Sequence, residues 1–410
     1  MVTSDLVLGW ESLHLRLKRA RQRLGLSQRR LCVLAGMSYT AIQLIERGKR
    51  APGVDTVERL AIALGVSKCW LAYGEGISMK QDLRCWIAPD FDPIKMTSDL
   101  ASVIRSGKGH IEQSFKYLDP AGAAAWCSIT KQIDRAAINS SLPFQEIAKR
   151  IASQSCAPLD VIGLGAGTAQ HEICLVSHLL RDGRHDIRLF VLDISQPLLS
   201  VAYQNLRATL AGQPGVSLTA MQGDFHKLSA YSVAFQSTQK TQRLLCMFGY
   251  TFGNLENEIR FLRNSLADLA ANDMLLLDVT IARAPADQPA EILKKDPALT
   301  KRRPADYQRQ MEEFMVTPLR RHLGEGVPIA ITPTLDTRAC TVPGSYAIDV
   351  KATIDVPGDR SKIYSIAYVK RYEPTQLIAS LAAEGWRLVQ NWKYGGEFDP
   401  AMLCLFKRTE

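Results

Sequence analysis

Val161-Ile-Gly-Leu-Gly-Ala-Gly-Thr168 is the stretch on which the reading of this 410-residue chain turns. The apolar run reaches back to Leu159, so a short strand-forming segment ends directly in glycines at 163, 165 and 167, and a helical pattern follows. Glycines at a strand-to-helix corner let the backbone approach a nucleotide closely and leave a helix N-terminus facing it. These mechanics suit many nucleotides, so the loop alone fixes a fold class and not a ligand. No lysine-bearing phosphate pattern accompanies it, which argues against a nucleoside triphosphate.

Downstream, apolar runs at Leu159 to Leu164, Ile187 to Leu192, Val216 to Met221, Leu244 to Phe248 and Met274 to Val279 alternate with helical segments. That order predicts a doubly wound, Rossmann-like α/β sheet. A section rich in proline (Pro285, Pro289, Pro297, Pro304, Pro318) then interrupts the pattern and predicts an inserted subdomain at about 281–370. A helix over Pro374 to Glu384 follows, and two close strands, Trp386 to Trp392 and Met402 to Phe406, predict an antiparallel hairpin turning at Gly395-Gly396. Seven strands in all are expected, mostly parallel. Asp193 ends the second run, where a carboxylate could bond both ribose hydroxyls or instead cap the next helix. Gly223-Asp-Phe225 follows the third, where Asp224 could accept from an adenine amino group beside Phe225, or serve only as turn chemistry. The candidate cofactor set is therefore Gly163, Gly165, Gly167, Asp193, Asp224 and Phe225.

These spacings and the terminal hairpin resemble class I S-adenosyl-L-methionine-dependent methyltransferases. The runs Leu244-Leu-Cys-Met-Phe-Gly-Tyr-Thr-Phe-Gly-Asn-Leu255, Phe261-Leu262 and Asp273-Met-Leu-Leu-Leu-Asp278, with Lys370-Arg-Tyr-Glu373, are similar to the histidine-specific methyltransferase family, which N-methylates an amino acid in ergothioneine biosynthesis. The resemblance covers roughly residues 155 to 408. It implies S-adenosyl-L-methionine as cofactor and a small-molecule amine as methyl acceptor. It places Asn254 as the catalytic residue holding that amine, with Tyr250 and Tyr372 on the substrate side. Asn254 could alternatively cap a helix beginning near Leu255. Gly163 stands where the family has an acid, leaving Asp160 or water as replacements, and Phe314-Met-Val-Thr-Pro318 lacks the family's asparagine-bearing pattern, which points away from histidine itself.

The N-terminal end is of another kind. Leu24 to Pro52 resembles the Cro/C1-type helix-turn-helix family, within a block of five short helices punctuated by Gly25, Gly36, Gly48 and Gly65. Ser27 and Ser38 are apt N-caps, Leu31, Leu34 and Ala35 give the first helix of the pair a buried face, and Ile42 and Ile45 do so for the second. The resemblance implies a double-stranded DNA operator as partner. Tyr39, Thr40 and Gln43 would read base edges, with Ser38 at the helix start and Gln28, Lys49 and Arg50 on the backbone. Modules of this kind usually act as dimers, so a homodimer is expected.

The whole chain carries a formal net charge of +9, with Arg16, Lys18, Arg19, Arg21, Arg23, Arg29 and Arg30 dense at this end, which favours nucleic acid there. The nine cysteines show neither paired nor zinc-type spacing, so reduced thiols and no metal site are expected. The absence of a long apolar run and of a leader pattern at the start predicts a soluble, cytoplasmic protein without membrane contact. The domains expected are 1–77 helix-turn-helix, 78–96 linker, 97–155 helical preamble and 156–410 methyltransferase. Two functions stay open at this level: an amine methyltransferase that also regulates genes, and a regulator whose degenerate methyltransferase domain senses a ligand without turnover. DNA-base methylation is disfavoured, because Gly249-Tyr-Thr-Phe-Gly-Asn254 is neither of the proline-based motifs used on flipped bases.

Overall fold

A computed structural model describes residues 12–66, 68–73, 83–132, 142–154, 158–184, 186–211, 213, 215–236, 241–300, 305–355, 361–395 and 400–409. The first eleven residues, residues 78–82 of the expected linker, Pro304 and Gly396 lie outside them. The chain divides into two compact units, one built mainly on residues 1–82 and the other on Leu83–Ala211 with Gly215–Glu410.

The first unit is five helices, α1 (Leu13–Arg23), α2 (Gln28–Ala35), α3 (Tyr39–Glu46), α4 (Val54–Leu64) and α5 (Lys68–Tyr73), around Leu17, Leu31, Ile42, Ile45, Leu60 and Leu64. Ser27 accepts the Arg30 amide and Ser38 the Ala41 amide, satisfying N–H groups that α2 and α3 leave open at their starts. Gly36 closes α2 at φ 60°, a left-handed conformation that costs glycine little. One expectation fails on α2: Leu34 is 48% exposed, and Cys32 takes the inward position beside Leu31 and Ala35.

The second unit is built on an eight-stranded sheet. Its strands are β1 (Leu83–Ile87), β3 (Leu159–Leu164), β4 (Ile187–Asp193), β5 (Val216–Gln222), β6 (Gln242–Met247), β7 (Met274–Thr280), β11 (Trp386–Tyr394) and β12 (Ala401–Arg408), in the order β1-β5-β4-β3-β6-β7-β12-β11. All neighbours run parallel except β12, which is antiparallel to both β7 and β11. The seven expected strands are present, and the sheet has one more. β1 lies inside the stretch read as linker and pairs with β5 from Leu83↔Leu218 to Ile87↔Gln222. With five residues and one partner strand, it carries too weak an alternation to stand out. The chain then enters a helix at Pro93, capped by Asp92.

Helices cover both faces of the sheet, as continuous apolar strands require. Ile147, Leu175, Leu179 and Leu206 pack on one side, and Leu228, Tyr231, Phe261 and Leu381 on the other. A second, four-stranded sheet has the order β2-β10-β9-β8, from β2 (Lys108–His110), β8 (Ile329–Asp336), β9 (Tyr346–Ile354) and β10 (Lys362–Arg371). The stretch read as a helical preamble thus gives the second sheet a strand, β2. Where the chain leaves β7 and where it returns from β10, the two segments touch: Tyr372 N donates to Thr280 O at 2.9 Å and Ala282 N to Tyr372 O at 2.8 Å. Among the described residues, no helix is long and apolar enough to cross a membrane.

Candidate active site and nucleic-acid face

β3 is buried along its whole length and delivers the chain into Gly165 (φ 66°) and Gly167 (φ 55°), ahead of the helix Gln170–Arg181. Both glycines hold left-handed conformations that side chains disfavour. A Cβ on Gly165 would lie 3.1 Å from Thr251 and 3.5 Å from Phe225, whereas one on Gly167 would meet nothing within 4 Å. The loop is therefore tight against the segment after β6 at one point and open at the next.

Asp193 stands at the end of β4, 5% exposed. Its Oδ2 accepts from Gly167 N at 2.7 Å and its Oδ1 from Ser195 N at 2.8 Å. The helix cap is Ser195, so Asp193 is turned to the loop and keeps lone pairs for further donors. Burial pushes its carboxyl up to about 6, against the amides of Ser195 and Gly167. Tyr117, from the preamble, feels this charge: burial and Asp193 raise its phenol.

Asp224 caps the 3-10 segment Phe225–Phe235, accepting from both the amide and Nδ1 of His226 at 2.9 Å. Burial alone would raise its carboxyl, but the contacts with His226 hold it below the ordinary value. The turn chemistry is realised, and the face of Phe225 stacks on His226 with centroids 4.6 Å apart. Phe225 and Gly165 are neighbours across the loop.

After β6, Gly249 and Tyr250 both take positive φ (66° and 63°), a conformation uncommon for tyrosine. Gly249 N is held by Asp278 Oδ2 at 2.9 Å, and Tyr394 donates to the other oxygen of Asp278, whose carboxyl burial pushes up to about 6. Tyr394 also interacts with Tyr250. Asn254 ends the short turn Thr251–Asn254, and the following helix is capped by Asn257, not by Asn254. The carbonyl of Asn254 accepts from Gln113 Nε2, which also bonds Tyr368 O. Gln113 in turn accepts from Lys116, whose buried amine desolvation lowers to about 7. Gln113, Lys116 and Tyr117 carry no sequence signal of their own, because they reach the site from the preamble through tertiary packing.

Two expected residues are placed elsewhere. Tyr372 is fully buried, with its hydroxyl on Glu258 Oε1 at 2.9 Å, within a network that includes the Lys370–Glu258 ion pair at 2.8 Å. Its phenol is engaged in the core and is not open to a substrate. Asp160, a candidate replacement for the missing acid, is held by Arg188 at 2.6 Å and by Thr241 near the opposite end of β3. Gly163 carries no acid, and the space beside it is filled by Glu172.

On the first unit, Ser38, Tyr39, Thr40, Lys49 and Arg50 are exposed and Gln43 is half-buried; Tyr39, Thr40 and Gln43 belong to α3, Ser38 caps it, and Lys49 and Arg50 follow it. Gln28 is tied down: its Nε2 donates to Glu46 Oε2 at 2.7 Å, and Glu46 is held by Arg21 at 2.6 Å. One amide hydrogen of Gln28 stays available.

The strand order, the glycine corner and the strand-end acid define a class I methyltransferase fold, here preceded by a helix-turn-helix unit. The chain belongs to the family described as histidine-specific, SAM-dependent methyltransferases, whose model matches residues 98–320. A helix-turn-helix family model matches residues 17–71. In that part the chain is 42% identical over 52 residues to the HTH-type transcriptional regulator PuuR of Escherichia coli, which covers 13% of this chain and 28% of the regulator's length. Among solved structures, it is similar to an S-adenosylmethionine-dependent methyltransferase from Clostridium acetobutylicum (11% identity, TM-score 0.37, covering 70% of this chain and 98% of that one). It is also similar to the restriction-modification controller protein C.AhdI from Aeromonas hydrophila (32% identity, TM-score 0.14, covering 14% and 89%).

Proposed function

We propose that this protein transfers a methyl group from S-adenosyl-L-methionine to the amine of a small, amino-acid-like metabolite. In the same reading its helix-turn-helix unit binds a double-stranded operator as a homodimer and regulates transcription in the cytoplasm. One juxtaposition supports the enzymatic half most directly. The glycine loop, with Asp193 bonded to it, passes so near the Tyr250–Asn254 turn that a Cβ on Gly165 would lie 3.1 Å from Thr251.

The residues present fit an adenosyl ligand: a left-handed glycine cradle with open space at Gly167, and a buried strand-end carboxylate with lone pairs to spare. When bound, S-adenosylmethionine supplies a methyl group activated by its sulfonium. Gly167 gives backbone room, Gly165 lets the loop pass close to Thr251, Asp193 accepts from the ribose hydroxyls, and Phe225 offers a ring face to the adenine. Asn254 is a neutral partner for an amine that must shed its proton and aim a lone pair. Positioning of this kind, rather than covalent chemistry, is what the site contributes.

The test is labelled S-adenosylmethionine added to a cell extract separated into small-molecule, protein and nucleic-acid fractions, with Asp193→Ala as control. Label among small molecules that is lost in the variant is the expected result. Cofactor binding with no label in any fraction would instead favour the ligand-sensing regulator, the reading that Gly163 suggests.

A further inference from the structure

Position 163 has no side chain, yet the space a side chain would take is occupied. A Cβ on Gly163 would lie 2.7 Å from Glu172 Oε1, 2.8 Å from its Cγ and 3.0 Å from its Cδ, and these are its three nearest neighbours. Glu172 belongs to the first turn of the helix Gln170–Arg181 and folds back over the end of β3. It is 1% exposed, and among the described residues its Oε2 has no hydrogen-bond partner. A buried acceptor left unmatched costs about 1–3 kcal/mol, and more for a charged group, so such atoms are rare in native proteins without a reason.

The surroundings point to a cation. Burial pushes the Glu172 carboxyl up to about 8, and the charge of Asp193 adds to the shift. Glu172 thus feels the charge of Asp193, and its Oε2 has no partner among the described residues to offset it. A positively charged group beside Oε2 would favour the ionised form of Glu172.

We propose that Glu172 takes over the task of the acid that β3 lacks: its free carboxylate oxygen receives the α-ammonium group on the methionine half of the cofactor. This rests on the cofactor reading above. Gly163 is then the condition for Glu172, since any larger residue would evict its side chain. A charge-assisted hydrogen bond from the ammonium group would complete the coordination of Oε2.

The rival explanation is a protonated carboxyl that only fills the gap. The two are separated by calorimetric binding of S-adenosylhomocysteine and of 5′-methylthioadenosine, which keeps the adenosine and sulfur but lacks the amino-acid half. The full chain is compared with Glu172→Gln and with the exchange Gly163→Asp/Glu172→Ala. We expect Glu172→Gln to weaken S-adenosylhomocysteine by about ten- to a hundredfold and to leave methylthioadenosine unchanged. The exchange should restore most of the loss. Equal losses for both ligands, or none, would overturn the proposal. Should Glu172→Gln not fold, the exchange decides alone: a preference for S-adenosylhomocysteine close to that of the unaltered chain supports the assignment, and loss of that preference refutes it. An unaltered chain that binds neither ligand would refute the cofactor reading first, and this assignment with it.

Discussion

A single methyl group added at position 163 would come within 2.7–3.0 Å of three atoms of one buried side chain. Gly163→Ala is therefore expected to lower stability by about 1–3 kcal/mol through overpacking, read as a lower urea midpoint. Combining it with Glu172→Ala should recover much of the loss, because the crowding atoms are gone. Glu172 also gives the unliganded protein a pH signature. Its native carboxyl titrates at about 8 against an ordinary 4.5, so the native state holds a proton that the unfolded chain releases. Stability accordingly falls as pH rises through that window, the reverse of a salt-bridged acid. Asp193 and Asp278 act in the same sense, but only up to about 6. Lys116, with its amine lowered to about 7, acts in the opposite sense from about pH 6 upward in both proteins, so Glu172→Gln should make the slope of unfolding free energy against pH more positive than in the unaltered chain between about pH 6 and 8; equal slopes in the two proteins would mean that the carboxyl is not desolvated as described.

Elements differ in how plainly the sequence shows them. β3, β4, β5 and β7 begin and end within a residue of their apolar runs, because β3, β4 and β7 are buried almost throughout and β5 alternates buried Val216, Leu218 and Ala220 with half-buried Ser217 and Thr219. β1 and β2 are short strands at the ends of their sheets, and β8 exposes alternate residues, so their signal is faint. The site divides in the same way. Gly165, Gly167 and Asp193 are legible because they sit at strand ends, where an acid or a glycine has few other uses. Glu172 is hidden, since its position follows from the absence of a side chain at 163. Tyr372 misleads because its neighbours in sequence match a substrate-side motif while its hydroxyl turns to Glu258. That buried pairing gives an element-level prediction: Lys370→Met leaves buried Glu258 without its cation, and should cost about 3–5 kcal/mol in chemical denaturation. In the first unit, Gly36→Ala should cost about 1–2 kcal/mol in thermal melts. It meets no atom within 4 Å, so the penalty there is wholly that of the left-handed backbone.

At the scale of the molecule, two compact units should answer separately to mutation. The exposed pair on α3, changed together as Tyr39→Ala/Thr40→Ala, should weaken operator DNA binding by tenfold or more, on the order of one lost base contact. Asp193→Ala should leave DNA binding intact and reduce cofactor binding. Gel-shift and calorimetric titrations of both variants check this division, and equal losses in both assays for either variant would contradict it. The backbone clamp between Thr280, Ala282 and Tyr372 has a consequence of its own. The long excursion that builds β8, β9 and β10 leaves and rejoins the parent sheet side by side, so the sheet sees its two ends as one closed junction. Changes of length between β9 and β10 would leave the cofactor half in register, whereas an exchange of β10 would not, because its Lys370 is paired with Glu258. The junction, rather than the sheet it carries, thus sets where the inserted part begins and ends.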